Sequence, residues 1–116
     1  MGEFDRASKD RYTLGEIERT LRNKELMYIY ASHGDMDSIN QIVDAEIAVD
    51  MAEPTELQRT TIDLVWRQGN SLVKTGEILG VTPQAVKFNL ELFKVKLKRV
   101  LNVWAHAERD YINDGN

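Results

Sequence analysis

Between positions 71 and 91 the chain carries Ser71, Lys74, Thr82, Pro83, Gln84, Lys87, Phe88 and Glu91, a set of side chains suited to reading a polyanion rather than to bond-making chemistry. Lysine neutralises phosphate, and it reaches guanine when it enters a major groove. Glutamine pairs bidentately with adenine, so Gln84 and Lys87, one helical turn apart, form a donor face. Ser71 and Thr82 add hydroxyls at helix starts, and Lys74 sits where it would touch backbone phosphate. Glu91 either accepts from a cytosine amino group or is a solvated surface carboxylate, and Phe88 either presses on thymine methyls or packs against protein.

Such a face is useful only if a helix is held out rigidly, and the residues around it supply the means. In 71–86 a small residue, Gly76, stands where two helices would cross, and Gly80 stands at the turn, where a positive φ is needed. Val81 is expected to plug the turn and Val86 to be buried one turn into the next helix. Thr82-Pro83 reads as an N-cap followed by proline at the first helical position, where a missing N–H costs nothing. Several requirements met in register point to a helix-turn-helix that would place its second helix in the major groove of double-stranded DNA.

With Thr55-Glu56-Leu57-Gln58-Arg59, then Ile62-Asp63-Leu64-Val65-Trp66, then 69–86, the sequence resembles DNA-binding region four of bacterial sigma factors and the phage regulators that share it. The resemblance covers under half the chain. It implies that the helix from Pro83 reads promoter DNA and that its surroundings touch RNA polymerase or an activator. The sequence departs from the family at Thr75, where a larger apolar residue is usual, and at Pro83, where arginine is common. Regions that bind the polymerase clamp and melt the −10 element are not recognisable in 1–54. A small regulator of the sort phages and prophages encode is therefore implied, rather than a complete sigma factor.

The rest of the chain must support that module. Residues 1–12 read as a polar, flexible arm, and 13–54 as an acidic helical pair. In the first helix, over 13–32, Thr13 and Glu16 form a capping box and Leu14, Ile17, Leu21 and Tyr28 face inward. Asp35 or Asp37 caps the second, whose inward residues are Met36, Ile39, Val43 and Ile47, and which ends near Ala52 ahead of Pro54. Residues 55–116 then form the module and an extended C-terminal helix. A second capping box, Thr55 with Gln58, opens a helix with Leu57, Thr61, Leu64 and Val65 inward, and Asn70 or Ser71 caps the next. The last helix carries Leu90, Phe93, Leu97, Val100, Trp104, Ala107 and Tyr111 at alternating steps of three and four. That stripe wants a partner helix along its length: either the 13–32 helix of the same chain, or its own copy in a homodimer through 90–111. Five helices and no strand make the fold all-α.

The chain of 116 residues suits one compact unit. Its net charge of −4 hides a division, since 55–101 holds eight Lys/Arg against four Asp/Glu and is the basic part of an otherwise acidic chain. No cysteine is present, which excludes disulfides and thiolate chemistry, and neither a membrane span nor a signal sequence is recognisable, so a cytoplasmic protein is expected. Neither His33 nor His106 has a ligand set around it, so no metal and no cofactor are expected. With no phosphate-cradling loop or nucleophile elbow, the pattern points away from an enzyme. Three readings remain: a DNA-binding transcription regulator, a small terminase-like subunit for phage DNA packaging, and a protein-interaction module that has lost DNA binding.

Overall fold

The computed structural model describes residues 13–114, with side chains through residue 106. The flexible arm expected over 1–12 and the side chains of Ala107 and Tyr111 lie outside the described residues. Among those residues the fold is all-helical, without strands, and no helix is long and apolar enough to cross a membrane.

The first surprise lies in 13–32, where one helix was expected and two are found. Helix α1 (Leu14–Arg22) starts at Thr13, whose hydroxyl accepts from the Glu16 backbone N–H at 3.2 Å. Only half of the capping box forms, because the Glu16 carboxylate pairs with Arg19. At Asn23 the helix stops, with both the backbone N–H and the side-chain amide donating to the Arg19 carbonyl, each at 3.0 Å. Asparagine's own hydrogen-bonding groups compete here with helix continuation. Helix α2 (Lys24–Ser32) follows directly and has no fully buried residue. Ile17 and Leu21 remain in the core, whereas Tyr28 is 48% exposed.

Helix α3 (Met36–Met51) is capped by Asp35, which accepts from both the backbone N–H and the hydroxyl of Ser38. Its buried face is not the one expected. Ser38, Ile42, Ala45, Ala48 and Val49 point inward, while Met36, Val43 and Ile47 are exposed and Ile39 is half-buried. Small residues win the inward face because they allow the close approach of α1 and α6, both of which pack on α3.

Helix α4 (Glu56–Ile62) has the full capping box: the Gln58 backbone N–H donates to the Thr55 hydroxyl at 3.1 Å, and the Thr55 N–H to the Gln58 side chain at 3.0 Å. Gln58 is buried, where it also accepts from Lys96 Nζ at 2.8 Å, and this turns its neighbour Leu57, expected inward, out to solvent. Thr61, Leu64 and Val65 are buried. The helix continues through a π-helical turn (Asp63–Arg67), closed by the Gln68 N–H donating to the Asp63 carbonyl at 2.9 Å. This wider turn sets Trp66 edge-on to Phe93, with ring centroids 6.1 Å apart.

Helix α5 (Leu72–Leu79) and helix α6 (Pro83–Asp114) complete the chain. With 32 residues, α6 is about 48 Å long. Val86, Leu90, Phe93, Leu97 and Leu101 form one wall of the core, with Val100 and Trp104 packed against it. As far as Leu101, then, the stripe considered for a homodimer is taken up by the chain's own α1, α3 and α4.

Candidate nucleic-acid interface

The geometry from Ser71 to Glu91 starts with two caps. The Ser71 hydroxyl accepts from the Lys74 N–H at 3.0 Å and opens α5, and the Thr82 hydroxyl accepts from the Ala85 N–H at 3.1 Å and opens α6. Between them Gly80 adopts φ 73° and ψ 32°, the left-handed conformation that glycine takes without a Cβ penalty. The Val81 N–H returns to the Gly76 carbonyl at 2.9 Å, so the turn folds back on α5. A Cβ on residue 76 would lie 2.6 Å from the Val81 carbonyl oxygen and 3.3 Å from the Thr82 carbonyl carbon. Gly76 is buried because the backbone of the turn lies directly on it.

Val81 does not act as the expected plug. Its side chain is 39% exposed, and it is the main chain of Val81 that fills the space over Gly76. A backbone packed this closely leaves no room beneath for the side chain as well. Thr75, by contrast, is fully buried, and its hydroxyl is a buried polar group with no hydrogen-bond partner.

In α6 the first turns divide into two faces. Val86 and Phe93 are wholly buried and Leu90 nearly so, while Gln84, Lys87, Phe88 and Glu91 are exposed and Pro83 is half-buried. Ser71 and Lys74 are exposed on α5. Glu91 lies 3.5 Å from Lys94, so part of its charge is offset locally. Lys96 turns away from solvent to Gln58 and to the Glu53 carbonyl at 3.4 Å, whereas Lys98 and Arg99 are exposed.

A cleft of about 450 Å³ brings Ser71, Lys87, Glu91 and Lys94 together with Glu18 and Arg22 of α1. Arg22 bonds Glu18 Oε2 at 2.8 Å and reaches the Val65 carbonyl at 3.4 Å, so its guanidinium is held at the cleft. This neighbour is not legible in the sequence. Glu18 and Arg22 read locally as an ordinary i,i+4 surface pair, and only the packing of α1 beside α6 brings them to the site.

Elsewhere a four-membered ionic network ties α2, α3 and the π-turn. Arg67 bonds Glu46 at 2.5 Å and also pairs with Asp63, and Lys24 bonds Glu46 at 2.8 Å. Burial alone would raise the Glu46 carboxyl, but the hydrogen bonds from Arg67 and Lys24 outweigh it and hold the group below the ordinary carboxylate range. Burial likewise opposes the charge on Arg67, and the Glu46 hydrogen bond more than restores it, so its pKa is raised. Among the described residues no group of three or more His, Asp or Glu could hold a metal ion.

No family model, curated protein or solved structure matches the chain.

Proposed function

We propose that the protein is a DNA-binding transcription regulator in which α5 and α6 act as a helix-turn-helix of the sigma-region-four kind, encoded by a phage or prophage. The observation that carries this reading is the division of α6 just after the turn. Val86, Leu90 and Phe93 anchor the helix from below, leaving Gln84, Lys87, Phe88 and Glu91 exposed on its outer side. In this reading Gln84 meets a base edge, Lys87 a guanine or phosphate, and Ser71, Lys74 and Thr82 the phosphate backbone. Pro83 sets the direction of the first helical turn and contributes no donor. The acidic α2–α3 region is the surface offered to other proteins, RNA polymerase among them. The role is recognition, without catalysis.

Exposed apolar groups on the same helix favour a second reading. Phe88 is 63% exposed, and Leu92 and Val95 follow it on the same side, which suits a protein partner better than DNA. Selection of bound fragments from a random duplex pool separates the two. A regulator recovers a recurrent motif, and Gln84→Ala relaxes it at one position by about 1–3 kcal/mol. Uniform recovery, or none, would remove the regulatory reading and leave packaging or protein interaction.

A further inference from the structure

Among the described residues, half of the sixteen large hydrophobic side chains left exposed fall between positions 26 and 51. Leu26, Tyr28, Ile29 and Tyr30 come from α2, and Met36, Val43, Ile47 and Met51 from α3. Each is 43–65% exposed; Met36, Val43, Ile47 and Met51, spaced by seven, four and four, line one face of α3, against which α2 packs. Helix α2 emphasises the point. It has nine residues and no buried residue, so most of its apolar side chains stay open to solvent.

A second apolar surface lies on α6. Phe88, Leu92, Val95 and Val103 are exposed on the side of that helix away from Phe93 and Leu97. Because α3 and α6 pack together through their inward faces, their outward faces point to opposite sides of the molecule. One chain cannot bring them together.

Charge decides how two chains would. From 24 to 51 there is one lysine against six carboxylates; Glu46 is paired with Lys24 and Arg67 and Asp50 with Arg59, which leaves the surface acidic. From 83 to 103 Lys96 is turned to Gln58, leaving Lys87, Lys94, Lys98 and Arg99 against the single Glu91. A two-fold contact sets each surface against its own copy, acid on acid or base on base. A head-to-tail contact sets acid against base over two apolar stripes.

We propose that the protein self-associates head to tail, the α2–α3 surface of one copy seated on the outer face of α6 of the next. Leu92, Val95 and Val103 are the apolar contacts on α6, and Arg99, exposed among them, meets the carboxylates of the α2–α3 surface. Each copy keeps one free surface of each kind, so assembly runs on until it closes into a ring. The contacts named on α6 run from Leu92 to Val103, beyond Gln84 and Lys87, so the inference does not rest on the DNA-binding reading.

The test is sedimentation equilibrium over a range of protein concentrations at about 50 mM salt. The wild type is expected to pass beyond a dimer as concentration rises, and to weaken roughly tenfold at about 500 mM salt. Leu92→Gln/Val95→Gln breaks only the α6 surface, and Ile29→Gln/Ile47→Gln breaks only the α2–α3 surface. Each double variant alone is expected to be monomeric, while their equimolar mixture stops at a one-to-one dimer, because one intact pair of surfaces remains. A variant that dimerises alone means a two-fold contact through its surviving surface and overturns the proposal, as does a mixture that stays monomeric. A wild type that is monomeric throughout overturns it too. Arg99→Glu leaves every apolar contact in place and serves if a glutamine variant loses its helix content. It should lower the association constant roughly tenfold, and no change would count against the proposal.

Discussion

The main chain of Val81 lies over Gly76 so closely that its N–H bonds the Gly76 carbonyl at 2.9 Å while its own carbonyl oxygen would lie only 2.6 Å from a residue-76 Cβ. A methyl group there must push backbone, which yields less readily than a flexible side chain. Gly76→Ala is expected to cost about 1–3 kcal/mol in urea denaturation. Gly80→Ala meets open space but must hold φ 73°, and should cost about 1–2 kcal/mol. A Gly76→Ala protein as stable as wild type would mean that the turn does not sit on α5.

Thr75 gives a prediction of opposite sign. Its hydroxyl is buried without a partner, and valine has nearly the same shape without the polar atom. Thr75→Val should therefore raise stability by about 1 kcal/mol. Thr75→Ser keeps the unpaired hydroxyl and loses a buried methyl, and should lower stability. The pair of denaturation curves checks both directions.

The Glu46 network makes stability depend on pH in a definite direction. Because the folded carboxyl lies below its ordinary value of 4.5, its contribution is complete above that value and fades as pH falls through the lower folded value. Glu46→Gln should flatten that part of the stability profile. At neutral pH it should cost about 1 kcal/mol, a figure discounted because the group is only partly buried. Urea midpoints of both proteins, measured between about pH 2 and 7, test this.

Much of the local structure could be read from the sequence, because it depends on neighbours a few residues apart. Thr55 with Gln58, Ser71, Thr82-Pro83 and the positive φ of Gly80 are set by hydrogen bonds and sterics within one turn. What the sequence did not reveal depends on distant partners. Helix α3 has apolar residues on both sides, and the three-and-four spacing points to Met36, Ile39, Val43 and Ile47, whereas the core takes Ala45, Ala48 and Val49. Asn23 splitting 13–32, and Arg22 joining the cleft, were hidden for the same reason. A side chain's local pattern does not say which of two available partners it will take. Val81 was misjudged differently: an apolar residue at a tight turn was read as a buried side chain, when the buried atoms are its backbone.

In the proposed function the exposed face of α6 meets duplex DNA, and the salt dependence of binding tests this most directly. Anisotropy of a labelled duplex, measured across a series of salt concentrations, should give a steep slope of log affinity against log salt. Lys74→Ala and Lys87→Ala should each reduce that slope by about 0.9, one phosphate's worth, while Lys96→Ala, whose ammonium is turned to Gln58, should leave it unchanged. Binding that ignores salt, or slopes that do not distinguish Lys87 from Lys96, would contradict it.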